Sequence, residues 1–579
     1  MTTLPRLPIL EAIASHRPDS TAVVHSLSGR SFTYSELLAD VGRARDRLRS
    51  ARGGVDMDGE RVAFLLENSY DYVVTLLAVM ASRSIAVPLS PAFPAPELQY
   101  ILNQSEPSLL VSSAKFASKA RQTLAGELVS PPTHVEMPKH VGGADSPDEH
   151  HPVTWDTRGP GEAGVMLYTS GTTNRPKGVL LPQSALTAQS RSLMQAWDYS
   201  PHDRLLHVLP LHHIHGIVNA VLTPLLSGAS VEFLFPFNAD AVWSRLAAPF
   251  LPSEDKTPTA VAAAKAPPVT FFTVVPTVYS RLMTTHKLLP DDVRAAASAA
   301  VSPANMRLAI SGSAALPTPV KKAWRDLSGG SVLLERYGMT EVGMALSCGL
   351  DPGDRIDASV GWPLPSVQAR LVDVDTGAVI APGDEVDPST GRERSGEIQL
   401  RGPTIFKEYW RNPEATASEF VPDPDGQGSW FRTGDVAVRR PVPEAARAQP
   451  DWTVGPMYFI QGRKSADIIK TGGEKVSALE VERELLSLPQ VAEAAVVSVP
   501  SGKWGHKVGC VVVLDPENLP GRDWSPLDMR RALKPSLAGY KIPQVMRVVD
   551  GIPRNAMGKI NKKQLVADIF KDDFSGDEM

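Results

Sequence analysis

The chain has 579 residues, 59 lysines plus arginines against 64 aspartates plus glutamates, and a formal net charge of −5. Its length accommodates roughly three or four domain-sized units, and 42% apolar with 21% charged residues are globular values that leave little room for long disorder. The mild acidity gives no electrostatic reason to expect nucleic acid or an anionic membrane surface as partner.

The two cysteines, Cys348 and Cys510, make neither a C-x-x-C pair nor a zinc cluster. That excludes a disulfide framework and fits a reducing compartment. No stretch reaches the roughly 18 apolar residues of a membrane span. In MTTLPRLPILEAIASHRPDS, Arg6 and Arg17 are offset by Glu11 and Asp19, so neither a signal peptide nor an organelle presequence is expected. The ending GDEM is not of the peroxisomal type. These features predict a cytoplasmic protein.

In chain order, Ser35 is the expected cap of a helix carrying Leu37, Val41, Ala44 and Leu48 on one face. RVAFLL (Arg61–Leu66) reads as a buried strand, Val73–Met80 as an apolar helix and SIAVPL (Ser84–Leu89) as the next strand. Such alternation favours a parallel, helix-covered sheet, and this α/β region is expected to run to about residue 460. The 51 prolines crowd into Pro131–Pro160, Pro249–Pro268 and Pro441–Pro450, which read as surface insertions.

After Gly462 the pattern changes. Ser477 and Glu480 form an S-x-x-E capping box ahead of the helix in SALEVERELLSL. The strands AAVVSVP and GCVVVLD, a helix near Leu527–Leu537 and the strand VMRVVD follow. The expected division is a large N-terminal α/β domain (1–461) and a small, mobile C-terminal α+β domain (462–579) ending in a frayed acidic tail.

The most informative string is GVMLYTSGTTNRPKGVLLP. An apolar strand runs into Thr169, Ser170, Gly171, Thr172 and Thr173, then Lys177 opens a second strand. Hydroxyls, backbone N–H groups and one lysine without bulky side chains are what a polyphosphate needs. The Walker order is absent, and such a turn alone is as readily a polar connection between strands.

The string resembles the phosphate loop of the acyl-adenylate-forming superfamily. SGSAALP, ERYGMTEVGMALS, FRTGDVAV, GRKSADIIKTGGEKVSALEVE and PRNAMGKINKKQL match its further motifs in order, over roughly residues 10 to 570. Within the superfamily, ERYGMTEVGMALS, VGWPLPSVQARL and RGPTIFKEYW are most similar to malonyl-CoA synthetases, whose animal members are mitochondrial and some bacterial members cytosolic.

The resemblance implies a large adenylation domain, a mobile small domain and the substrates ATP and coenzyme A with Mg²⁺. A carboxylate attacks the α-phosphate of ATP, pyrophosphate leaves, and a thiolate then displaces AMP; charge neutralisation and in-line positioning dominate. Thr169, Ser170, Gly171, Thr172, Thr173 and Lys177 would hold the β- and γ-phosphates. Thr340 would contact the α-phosphate and Glu341 would bind Mg²⁺. Tyr337, with Gly338 beside it, would stack on adenine against Gly312 and Ser313. Asp435 would bind the ribose hydroxyls, since a carboxylate accepts two hydrogen bonds at once, and Arg463 would add an ATP contact. The hinge is expected in Lys464–Asp467.

Lys559 matches the catalytic lysine, which bridges carboxylate and α-phosphate in one orientation of the small domain. Rotation would replace it with a face carrying Gly472, Gly473 and Glu474 for CoA. His213, in LPLHHIHGI, matches the motif position that gates the carboxylate in the superfamily, with Ile214 beside it. Metal binding is not expected of its three histidines. Arg281, in VPTVYSRL, would pair the distal carboxylate of a diacid if it is buried, and Met344 would limit the pocket to malonate or methylmalonate. The open alternatives are a short-chain, medium-chain or aromatic acid, a stand-alone adenylation enzyme loading a carrier protein, and a non-catalytic relative.

Overall fold

The computed structural model describes residues 2–141, 153–169, 175–251, 266–423, 425–501, 505–519, 524–554 and 560–571. The proline-rich segments around 142–152 and 252–265, the phosphate-loop residues 170–174, Lys559 and the acidic tail lie outside them.

Two large sheets dominate the N-terminal region. One has the spatial order Glu408–Tyr409, Lys177–Pro182, Gly164–Thr169, Ile85–Pro88, Arg61–Leu65, Leu109–Ser112 and Thr133–Glu136. From Gly164–Thr169 onward its strands are parallel. The other sheet runs Trp362–Pro363, Gly343–Ser347, Leu334–Met339, Leu308–Ser311, Phe271–Val274, Arg204–His207, Ser230–Phe233, Thr21–His25 and Ser31–Thr33. Its strands from Leu334–Met339 to Thr21–His25 are parallel. Runs such as Phe271–Val274 are buried throughout, as strands covered by helices on both faces must be.

The helix Tyr34–Ala51 buries Leu37, Val41, Ala44 and Leu48 as its spacing requires. Its cap is Thr33 rather than Ser35. Thr33 Oγ1 accepts from Glu36 N (3.2 Å), and Glu36 Oε2 accepts from Thr33 N (2.6 Å). The acid three residues on selects the cap.

The alternation stops before residue 460. Gln368–Asp373, Gly396–Arg401, Ser429–Arg440 and Met457–Arg463 are joined antiparallel into a third sheet. The signal for its first reversal is Asp-Thr-Gly: Asp373 Oδ1 accepts from the N–H groups of Asp375 (3.0 Å) and Thr376 (2.8 Å), and Gly377 takes φ +72°.

Beyond Arg463 the chain makes its own core from Ile469, Val481, Val496, Val508, Cys510 and Met529. It comprises the hairpin Ile468–Thr471/Glu474–Ser477 and a sheet of Val491–Ser501, Gly505–Leu514 and Val545–Val548. Ser477 caps the helix Ala478–Leu486. Glu480 does not close the box, because its carboxylate is held by Lys541 Nζ at 2.7 and 2.9 Å. Pro526–Leu533 is the second helix, shorter than expected. Cys348 and Cys510 are both buried and unpaired. Among the described residues, no helix is long and apolar enough to cross a membrane.

Candidate active site

The C-terminal ends of the parallel strands converge on three short side-chain chains. The first starts from the hairpin that frames the phosphate loop, whose strands pair from Thr169–Lys177 to Gly164–Pro182. Thr169 Oγ1 reaches Lys177 O at 3.5 Å, and Tyr100 OH donates to Pro176 O at 2.8 Å. Ser170, Gly171, Thr172 and Thr173 lie outside the described residues.

Lys177 Nζ stands 4.4 Å from the Tyr409 ring centroid, and Tyr409 OH donates to Glu341 Oε1 at 2.9 Å. Glu341 is buried on the turn between Leu334–Met339 and Gly343–Ser347, with Thr340 beside it. Burial raises its carboxyl above the ordinary range, while the Tyr409 hydroxyl and the charges of Arg463 and Lys177 pull it back. Gly338 has no alternative: a Cβ there would lie 2.1 Å from Gly343 O.

The second chain is Tyr337–Asp435–Arg463. Tyr337 OH donates to Asp435 Oδ2 at 2.5 Å, and Arg463 Nε lies 3.2 Å from Asp435 Oδ1. Register makes this contact, since Asp435 and Arg463 are paired residues on adjacent antiparallel strands. Burial, then the Asp435 carboxylate, raises the Tyr337 phenol well above its usual range, so it stays protonated and donates.

The third chain is the most buried. Arg336, 3% exposed, directs Nη2 to His215 Nδ1 (2.5 Å) and Ser313 Oγ (3.2 Å). Because the guanidinium can only donate, Nδ1 is the acceptor. Nε2–H of His215 therefore donates to Thr273 Oγ1 at 2.6 Å. Burial and the neighbouring guanidinium hold His215 well below the usual histidine range, hence neutral. Arg336 Nε has no hydrogen-bond partner, and among the described residues no carboxylate lies within ion-pair distance. Gly312 makes the space: a Cβ would lie 2.5 Å from the Arg336 guanidinium.

The remaining sequence candidates are placed as follows. Ile214 and Met344 are buried, and His213 is half-buried with its ring 4.1 Å from that of His212. Arg281 lies within the helix Pro276–His286 with its side chain exposed. The enclosure that would make it selective is therefore absent at that position and present at Arg336. Gly472 and Gly473 take φ +55° and +84° in the hairpin turn, and Glu474 is held by both terminal nitrogens of Arg392 at 3.1 Å.

Arg336 and Tyr409 were missed in the sequence. The signal for Arg336 was present: Glu335 and Arg336 interrupt the apolar run VLLERYGM, and a strand buried on both faces needs a partner for each charge. Lys321 supplies one for Glu335 at 2.9 Å.

No group of three or more His, Cys, Asp or Glu side chains suited to a metal occurs among the described residues. One buried carboxylate, Glu341, matches the way Mg²⁺ is commonly held, by one or two carboxylates plus substrate phosphates.

The family described as AMP-binding enzyme matches residues 10–410, and AMP-binding enzyme C-terminal domain matches residues 480–559. The chain is 54% identical over 582 residues to a CoA ligase of Gibberella moniliformis, covering 98% of this chain and 95% of that protein. It is 39% identical over 548 residues to the Mus musculus malonate–CoA ligase ACSF3, mitochondrial, covering 90% and 84% respectively. ATP-bound MatB from Rhodopseudomonas palustris has the same fold, with TM-score 0.76, 30% identity and coverage of 98% of this chain and 100% of that one. The chain therefore belongs to the AMP-binding enzyme family and is an AMP-forming acid–CoA ligase.

Proposed function

We propose that the protein joins malonate to coenzyme A through a malonyl-AMP intermediate, with methylmalonate as the largest acid it accepts readily. The observation that carries this reading is Arg336. A buried guanidinium with two neutral partners and an unsatisfied Nε is a costly arrangement by itself. A substrate carboxylate would satisfy both its charge and its free donor. The near carboxylate must face the α-phosphate, so a cation reserved for a second carboxylate selects a diacid. Met344 and Ile214, both buried in one apolar cluster, would supply the apolar walls. The mouse relative, named for malonate, supports the same substrate.

In this reading the residues divide the work by charge. Thr169, Ser170, Gly171, Thr172, Thr173 and Lys177 hold the β- and γ-phosphates. Thr340 orients the α-phosphate, and Glu341, steadied by Tyr409, would hold Mg²⁺. The ion offsets phosphate charge when bound. Tyr337 and Gly338 face adenine, Gly312 and Ser313 separate adenine from Arg336, and Asp435 with Arg463 takes the ribose. His213 and Ile214 gate the acid, and Arg281 lies outside the enclosed part of its pocket.

The carboxylate oxygen forms its bond to the α-phosphorus as the bond to pyrophosphate breaks. Lys559, on the small unit 462–579, neutralises the approaching oxygens. CoA, its thiol proton given up to solvent, then bonds as the thiolate to the acyl carbon and AMP leaves, with Gly472, Gly473 and Glu474 facing CoA. Glu474 has to leave Arg392 for that step. The cytoplasmic location is part of the proposal, and cell fractionation tests it against the mitochondrial one in the mouse relative's name.

A screen of pyrophosphate release with malonate, methylmalonate, acetate, hexanoate and coumarate, with free CoA as acceptor, tests the substrate. Preference for malonate supports the proposal, and preference for a monocarboxylate identifies another acid ligase. Acyl-AMP formation without CoA turnover points to a carrier protein, and the absence of ATP–pyrophosphate exchange to a non-catalytic relative.

A further inference from the structure

Lys562 opens the last helix, Lys562–Ile569, three positions after Lys559. A cation at a helix N-terminus opposes the helix dipole, yet its side chain is only 14% exposed, held between Asp467 Oδ1 (2.5 Å) and Glu482 Oε1 (2.7 Å). Glu482 is fixed in turn, accepting from Val496 N at 2.7 Å. Asp467 faces both ways. Its Oδ2 accepts from the backbone N–H of Arg463 at 2.9 Å, and its own N–H donates to Arg463 O at 2.8 Å. Gly462 leaves room for this, since a Cβ there would lie 2.4 Å from Asp467 Cβ. Arg463 in turn contacts Asp435, which holds Tyr337.

A continuous path therefore runs from the proposed nucleotide wall, through the ends of the connecting segment 463–467, to the start of the last helix, three positions after Lys559 in sequence. We propose that Lys562 is a positioning residue: by locking Asp467 to the small unit, it makes the Asp467–Arg463 contact set the orientation in which adenylation occurs. The glutamate is its anchor inside the small unit. Turning about Lys464–Asp467 breaks the contact to Arg463 and leaves the one to Lys562, so the lysine matters most for the half-reaction that needs this orientation. The inference rests on the reading that Lys559 acts in adenylation.

The test uses the full chain. Lys562→Met is expected to lower the rate of ATP–pyrophosphate exchange about tenfold or more while shifting the apparent KM for ATP less than about threefold. Thioester formation from supplied acyl-adenylate should stay within about threefold of wild type, and Lys562→Arg should recover most of the exchange. Should Lys562→Met fail to fold, Asp467→Asn, which keeps the shape, should show the same split. Equal loss in both half-reactions, or full exchange in the folded variants, overturns the inference. Lys559→Ala separates the two layers: exchange surviving in it removes the reading underneath, whereas exchange lost there but intact in Lys562→Met and Asp467→Asn removes only the positioning role.

Discussion

Nδ1 of His215 accepts a hydrogen bond from Nη2 of Arg336 at 2.5 Å, with both side chains buried. The contact fixes a neutral histidine tautomer and leaves the guanidinium, whose pKa burial pulls down to about 9, with no carboxylate among the described residues. A structural arginine in such a place is normally paired, as Arg245 is with Glu232 at 2.5 Å. Arg355, also buried without a carboxylate, donates instead to the carbonyls of Gly349, Val332 and Leu350, whereas Arg336 has only a histidine nitrogen and a hydroxyl, and the substrate reading follows from that difference.

Lys559→Ala should abolish acyl-AMP formation and largely spare thioester formation from supplied acyl-AMP. Exchange of labelled pyrophosphate into ATP reads the first half-reaction, and thioester release from synthetic acyl-AMP reads the second. Equal loss of both contradicts the division of labour between the two faces of the small unit.

Asp435→Asn should raise the KM for ATP about tenfold to a hundredfold, because it replaces a carboxylate that accepts from both Tyr337 and Arg463. The wild type should discriminate against 2′-deoxy-ATP and the variant should not. Steady-state kinetics with the two nucleotides check this, and undiminished discrimination in the variant removes Asp435 from the ribose.

The carboxyl of Glu341 is raised by burial and lowered by the Tyr409 hydroxyl. Since the ionised form is the one that would hold a cation, activity should fall as pH drops through a value above the ordinary glutamate range. Tyr409→Phe should move that acid limb to still higher pH and weaken the response to Mg²⁺. Profiles of kcat/KM for ATP against pH, with a metal titration, read both effects, and an unmoved limb separates Tyr409 from Glu341.

His140 lies 3.2 Å from Asp40 and 2.8 Å from Asp71. Burial disfavours its charge, but these carboxylates outweigh burial and raise it from 6.5 to about 9. A raised folded-state value gives stability that is complete below pH 6.5 and is lost as pH rises through about 9. The contribution is on the order of 3 kcal/mol. Denaturant titrations of wild type and His140→Gln across that window should converge at high pH, and a constant difference contradicts the assignment.

Much of this architecture was legible because it depends on local chemistry. The strands Arg61–Leu65 and Ile85–Pro88 are continuous apolar runs, and Ser477 marks a helix start by itself. The residues of Tyr337–Asp435–Arg463 were each singled out from motifs, but their contact depends on strand register, which no single motif encodes. Register also explains the missed antiparallel sheet, whose strands, including the 12-residue Ser429–Arg440, are paired across long separations in sequence. Arg281 was favoured for its place after a VPTVY string, yet burial is set by which helix face meets the sheet. Arg336, inside a motif read for its tyrosine and glutamate, carries the property sought at Arg281.

The most direct test compares kcat/KM for malonate and hexanoate in the wild type and in Arg336→Met. The account predicts a wild-type preference for malonate approaching about 10⁴-fold. It predicts that the preference falls by at least about a hundredfold in the variant, with hexanoate activity retained. A wild type that prefers hexanoate, or a variant that loses both acids equally, would contradict it.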